Sequence, residues 1–251
     1  MNCKSFGLSF RLVFSIALLF AAQATAAVFT ITNTNDAGAG SLRKAIEDAN
    51  ATPATNTIDF NIGGGGVKKI APLTVLPNII RSVIIDGTTQ PGWAVGNLVI
   101  ELSGENLTGS TATGFRFSSI SNSEPQSFIR GIAVNRFTGS GINPELSNNI
   151  TIEGCFIGTG ATGTIDLGNQ RGFYLNASSN ITIGGDTPAE RNVISGNSQG
   201  IDTFGGSTIN IIGNYLGTEK TGMTALANGT AIQMQSSFCS IGGTAAERNV
   251  I

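Results

Sequence analysis

Gly154-Cys-Phe-Ile-Gly-Thr-Gly-Ala-Thr-Gly163 returns 59 residues later as Gly213-Asn-Tyr-Leu-Gly-Thr-Glu-Lys-Thr-Gly222. A second block, Ile183-Gly-Gly-Asp-Thr-Pro-Ala-Glu-Arg-Asn-Val-Ile194, returns as Ile241-Gly-Gly-Thr-Ala-Ala-Glu-Arg-Asn-Val-Ile251, one residue shorter. The agreements keep their order, so the second half of the chain is an internal repeat. A finer period lies inside it. A glycine followed by an alternating apolar strand begins at Gly114, Gly141, Gly172 and Gly200, spaced by 27, 31 and 28 residues. Thr230-Ala-Ile-Gln-Met234 is a related strand. Each unit carries two more short strands, such as Asn180-Ile-Thr-Ile183 and Asn192-Val-Ile-Ser195. Three strands and three turns per unit make one coil of a parallel β-helix. The 59-residue offset is then two coils of alternating type.

The physics of such short strands supports this assignment. None can stand alone, and the apolar positions alternate with polar ones. Stacking pairs each strand with its equivalents above and below. Phe173, Leu175, Ile181, Ile183 and Val193 are then expected to face inward in one apolar column, and Phe173, Ile201 and Ile232 to stack within it. Glycine suits corners that need positive φ, and Asn tolerates the same conformation. Composition agrees: 34 glycines, 40% apolar residues and only 12% charged ones in 251 residues. The fold class expected is all-β, a right-handed parallel β-helix over residues 55–251.

Residues 27–54 read as a cap. Ala37 to Asn50 is the one good helix, with Ser41 placed to cap it and Leu42, Ala45, Ile46 and Ala49 on one apolar stripe. A solenoid end exposes its column and its strand edges, and this helix can cover them. Ile62 to Gly66 is glycine-rich, but no Gly-Lys-Ser/Thr and no helix follow, so a turn is expected and not a phosphate loop. The chain stops at Ile251 inside a repeat, which reads as a C-terminal truncation.

Residues 1–26 read as a signal peptide. Lys4 and Arg11 supply positive charge, Leu12 to Ala22 an apolar stretch too short for a transmembrane span, and Ala24-Thr25-Ala26 a cleavage site. The mature chain is expected outside the cytosol, secreted or on the cell surface, without a transmembrane helix. Removing Lys4 and Arg11 leaves 12 basic against 16 acidic residues, with no basic cluster beyond Arg43-Lys44 and Lys68-Lys69. Nucleic acid is therefore not an expected partner. There is no histidine, which removes His-based triads and His metal sites. No dense Asp cluster resembles a calcium loop, so no metal and no cofactor are expected. Cys155 and Cys239 can form a disulfide in an oxidising compartment or remain free thiols.

Phe29-Thr-Ile-Thr-Asn-Thr-Asn-Asp-Ala-Gly-Ala-Gly-Ser-Leu-Arg-Lys-Ala-Ile46 resembles the opening of bacterial secreted parallel β-helix repeat proteins of the CSLREA-type and polymorphic outer-membrane-like group. Ile85-Asp-Gly-Thr-Thr-Gln-Pro-Gly92 and the Ile-Gly-Gly…Arg-Asn-Val-Ile blocks fit the same pattern. The name-giving Cys-Ser-Leu-Arg-Glu-Ala is here Gly40-Ser-Leu-Arg-Lys-Ala45, a partial match. The resemblance implies fold and export. Proteins of this kind include surface adhesins and carbohydrate-active enzymes, and the fold does not choose between them.

Residues copied by the repeat serve the scaffold first. Glu190-Arg191, repeated as Glu247-Arg248, reads as an ion pair beside a turn, and Asn192 and Asn249 as a corner ladder. Outward residues that differ between coils are the better candidates. Aligning the Gly-led strands gives one outward row of Arg116, Asn143, Tyr174, Asp202 and Gln233, and another of Ser118, Glu145, Asn176, Phe204 and Gln235. This ridge of amides, carboxylates and aromatics suits a polysaccharide or another cell-surface ligand, with Arg116, Asn143, Tyr174, Asp202 and Phe204 as binding candidates. Glu145 and Asp202 are the weak catalytic candidates, at a separation of ~10 Å for two coils. Trp93 can stack on a sugar ring or pack on a neighbouring coil. The function expected is a non-catalytic adhesin or scaffold. The alternative is a polysaccharide lyase or glycoside hydrolase on the same outward face.

The N-terminal reading is directly testable: N-terminal sequencing of the protein recovered from the medium or cell surface should begin at Ala27. Intact Met1 on a cytosolic protein would refute export.

Overall fold

A computed structural model describes residues 25–251. All but the last two residues of the expected signal peptide lie outside the described residues. The chain forms a parallel β-solenoid of about seven turns. Its coils have three faces. The first holds Phe115–Ser118, Ser140–Glu145, Arg171–Asn176 and the opening halves of Gln199–Ile212 and Thr230–Ile241. The second runs from Val28–Ile31 through Asn56–Phe60, Val83–Asp86, Ser127–Arg130, Asn148–Glu153 and Ser179–Gly184 to the closing halves of the same two long strands. The third is a six-stranded sheet that starts at Lys68–Ile70 and ends at Tyr215–Leu216. Val28–Ile31, which the sequence places with the cap, is thus the first rung of the second face.

The register carries the apolar period from coil to coil. On the second face Ile58, Ile85, Ile129, Ile152, Ile183 and Ile211 align. On the third, Ile70, Leu102, Val134, Ile157, Ile194 and Leu216 do so. On the first, Ile142, Phe173, Ile201 and Ile232 form the expected stack, in which Ile232 is only partly buried. One residue departs from the inward assignment: Val193 aligns with Phe156 and Tyr215 on the outward row of the third face and is covered by loops. Two-residue strands do not reveal their parity from sequence.

The helix spans Leu42–Ala51. The Ser41 side chain accepts from the Lys44 amide at 3.2 Å, and Leu42, Ala45, Ile46 and Ala49 are buried. Its stripe joins Ile31, Ile58 and Phe60 at the N-terminal end of the column. The Ser-Leu-Arg stretch therefore divides its labour: cap, core and clamp. Arg43 is the clamp, donating to the Asp36 carboxylate and to the Thr74 and Val75 carbonyls at 2.8 Å. The glycine turn at 62–66 is a turn indeed. Lys68 Nζ donates to the carbonyls of Gly63, Gly64 and Gly65, so its oxygens converge on a cation, the opposite polarity to a phosphate loop.

Loop lengths explain the 59-residue period. The hairpin-like loop 158–167 leaves the third face after Phe156–Ile157, and its counterpart 217–226 leaves two rungs later. Gly163 sits at φ 69°, and a Cβ there would lie 2.8 Å from the Phe156 ring. Gly222, at φ 74°, faces Tyr215 the same way at 2.7 Å. The copied aromatic and the copied glycine thus pack against each other. The two loops also touch, through Lys220 N–H to the Gly163 carbonyl at 3.0 Å. The intervening coil has its long loop on the other border, at 184–192. Corners are held by amide ladders, Asn169–Asn197–Asn228 and Asn192–Asn214–Asn249, each buried except at its last, half-buried member. Non-glycine residues take positive φ at stacked corners, among them Leu146 and Ala177, and Asn149 and Asn180.

Cys155 and Cys239 are both free. The disulfide left open by the sequence is absent, because Cys155 lies in the corner beside the third face while Cys239 pairs with Ile209 on the second. Burial pushes the Cys155 thiol up to about 12, which makes it inert.

Ile201 is fully buried between Phe173 and Ile232. Ile201→Ala should destabilise the protein by ~2–5 kcal/mol in urea unfolding, from lost burial and the cavity left behind. A loss below ~0.5 kcal/mol would contradict this packing.

Candidate functional site

The ridge assembles in the expected register. Arg116 pairs with Asn143, Tyr174 with Asp202 and Asp202 with Gln233. Beside them run Ser118, Glu145, Asn176, Phe204 and Gln235. Phe204 is 56% exposed, whereas Asp202 is 7% exposed. Glu145 is ion-paired with Arg116, whose Nε donates at 2.9 Å, and Asn176 donates to its other oxygen at 3.4 Å. Asp202 accepts from Arg171 Nε at 3.0 Å. The Arg171 guanidinium also lies 4.8 Å from the centre of the Tyr174 ring. Asn143, with its amide turned to satisfy its neighbours, donates to the Tyr174 carbonyl at 2.8 Å. The ridge is a row of charge pairs and amides with Phe204 standing out from it.

Two sequence expectations change here. The two outward rows read from the sequence hold Arg116 as their one cation, but Arg171 also reaches the ridge and serves Asp202. Arg171 shares the parity of inward Phe173 and Leu175, so alternation gave it no outward place. It lies at the first residue of the strand, where the corner breaks the alternation. Glu145 and Asp202 also differ by two residues along the strand as well as two rungs, so their Cα atoms are ~12 Å apart rather than ~10 Å. Each is held by its own arginine.

Trp93 lies elsewhere. It packs against the third-face cluster of Leu98, Ala133, Phe156, Ala161 and Val193. The loop that carries it explains the Asp86-to-Gly92 motif. Asp86 accepts from the Thr88 amide at 3.0 Å, and buried Gln90 bonds both backbone groups of Ile62, at 2.8 and 2.9 Å. Glu190 and Arg191 are not an ion pair with each other. Glu190 accepts from the Thr187 amide and hydroxyl, at 3.0 and 2.9 Å. Burial works against its ionisation, but the bonds from Thr187 and Asp186 outweigh it and hold the carboxyl below its ordinary value. Arg191 stacks 4.6 Å from the Tyr215 ring and donates to the Gly213 carbonyl at 2.9 Å. Asn192 and Asn249 do belong to one corner ladder, linked through Asn214.

A second charged row, unseen in the sequence, runs along the second face. Asp86, Arg130 and Glu153 occupy successive rungs. Arg130 lies 3.5 Å from Asp86 and 3.6 Å from Glu153, and its buried Nε has no hydrogen-bond acceptor. These strands lack the leading glycine that marks the first face, so no sequence signal aligned them. Burial raises the Glu153 carboxyl above its ordinary 4.5 against the pull of Arg130, and the Glu190 and Asp86 carboxylates add to the rise.

Among the described residues no group of three His, Cys, Asp or Glu side chains is placed to hold a metal, and no helix is long and apolar enough to cross a membrane. No family model matches the sequence, and no curated protein matches it either.

The Glu153 shift has a definite sign. The folded state holds this proton more tightly than the unfolded chain, so the stability it lends is present below pH 4.5 and is lost as pH rises through the raised value. Glu153→Gln stays neutral and should escape that loss. Urea unfolding at about pH 4 and about pH 7 should show the variant gaining on the parent at the higher pH. A difference that is constant with pH would contradict the assigned environment.

Proposed function

We propose that this is a secreted or cell-surface β-helix protein, an adhesin or scaffold that binds glycan along the first-face ridge without turning it over. The observation that carries the reading is the state of the ridge carboxylates. Glu145 and Asp202 are each occupied by an arginine, which suits recognition through fixed dipoles and charges more than proton transfer. Phe204 offers an exposed apolar surface, and Tyr174, braced by Arg171, a half-buried one beside the row of amides. A repeating polymer lying along the solenoid axis would meet equivalent positions every ~4.8 Å. The resemblance of residues 29–46 to the CSLREA-type and polymorphic outer-membrane-like group supports export and a surface role.

The enzyme reading has one observation in its favour, and it lies off the ridge. Among the described residues Glu153, half-buried with a raised carboxyl and facing Asp86 across Arg130, is a carboxyl suited to donate a proton. A polysaccharide lyase or glycoside hydrolase would centre there.

One assay separates the readings. The protein is incubated with a panel of acidic and neutral polysaccharides, and binding, unsaturated products and reducing ends are followed together. Binding without turnover is expected, weakened ~3- to 10-fold by Tyr174→Ala, as loss of an aromatic contact implies. Turnover that disappears in Glu153→Gln, Asp202→Asn or Glu145→Gln would overturn the non-catalytic reading.

A further inference from the structure

The loop 87–98 brings the chain's single tryptophan onto the third face, where it meets the turn 186–191. Between them lies a trough of two hollows that share Trp93 and Ala189. The first, of about 170 Å³, has Leu98, Phe156 and Val193 in its walls and carries Arg191 and Lys220. The second, of about 270 Å³, is lined by Thr88, Arg130, Glu153, Thr187 and Glu190.

The first hollow is electrostatically unfinished. Arg191 is braced by the Gly213 carbonyl, the Tyr215 hydroxyl at 3.2 Å and the Tyr215 ring. Lys220 Nζ donates to the Gly96 carbonyl at 3.0 Å. Among the described residues neither cation has a carboxylate partner. Both therefore bring uncompensated positive charge and spare donors to an aromatic wall. The Trp93 Nε1–H is buried and meets no acceptor in the protein, which costs stability. An anion and a flat apolar face are the two things this hollow lacks. A sugar acid brings both. An aromatic acid brings no hydroxyls for the second hollow, whose threonines and charged groups offer hydrogen bonds all round. The carboxylates of Glu153 and Glu190 would repel a second acid there.

We propose that the trough binds an acidic glycan segment, with a carboxylate-bearing sugar residue in the first hollow and an uncharged neighbour in the second. The proposal extends the glycan-binding reading but rests on a different face from the ridge, so each can fail alone.

Trp93 emission reports the site without a label, because no other tryptophan is present. The whole protein is titrated with a glucuronate–glucose disaccharide, with the all-glucose analogue and with the corresponding diuronate. A saturable emission change is expected with the mixed disaccharide, and binding ~10-fold or more weaker with the other two, the scale of one charge-assisted contact. Lys220→Gln should weaken the mixed disaccharide by a similar factor, and Lys220→Arg, which keeps the charge, should largely restore it. Tyr174→Ala should leave this titration unchanged. Equal affinity for the neutral analogue, no emission change, or an unaltered Lys220→Gln titration would overturn the proposal. Tyr174→Ala binding that fails only for long polymers on the ridge would leave the trough assignment standing.

Discussion

Everything in this molecule depends on in-register stacking of parallel strands too short to persist alone. Strands of two to six residues make up most of the faces. Such a strand gains its hydrogen bonds and its buried surface only from the coils above and below. Register is therefore fixed twice, by the backbone ladder and by the isoleucine column, since a slip of one residue would turn Ile152 or Ile183 out to water. The asparagine ladders add a third constraint. Each ladder amide bonds its counterpart one coil away as well as backbone groups of the coils it joins, so a misaligned coil would leave polar groups orphaned in an apolar corner.

The same stacking makes the surface a grid. An outward side chain has neighbours fixed by rung and by position along the strand. Arg116 reaches Glu145 across one rung, and Arg171 reaches Asp202 the same way. Arg130 is shared between Asp86 and Glu153. These partners lie 23 to 44 residues apart in sequence, so a motif search along the chain would not find them.

How much could be read from the sequence follows from that geometry. The Gly-led strands carry their own marker, so the register of the ridge was legible from Arg116 to Gln233. The helix was legible because Ser41 and the stripe at Leu42, Ala45, Ile46 and Ala49 repeat at helical spacing. Val193 was misplaced because a two-residue strand has no alternation to read. Arg171 was missed at a corner, where parity fails. Glu190-Arg191 looked like an ion pair because the residues are adjacent and copied together. In space they serve different partners, Glu190 its own turn and Arg191 the next coil's Tyr215. Asp86, Arg130 and Glu153 were invisible because loops of unequal length separate their strands. The trough at Trp93 depends on a loop reaching Lys220, which lies 124 residues further along the chain than its partner Gly96.

The alternation of long loops has a consequence for how such a chain can grow. Loops 158–167 and 217–226 leave the same border two rungs apart, and at that spacing they already touch through Lys220 and Gly163. Because loops two rungs apart are already in contact, each takes up the ~9.6 Å that two rungs provide. Two of them on consecutive rungs would claim the same space. The array is therefore quantised: lengthening or shortening that respects the border must add or remove coils in pairs. A duplication of a single coil would bring long loops into collision, whereas a duplication of about 59 residues reproduces a border that already fits.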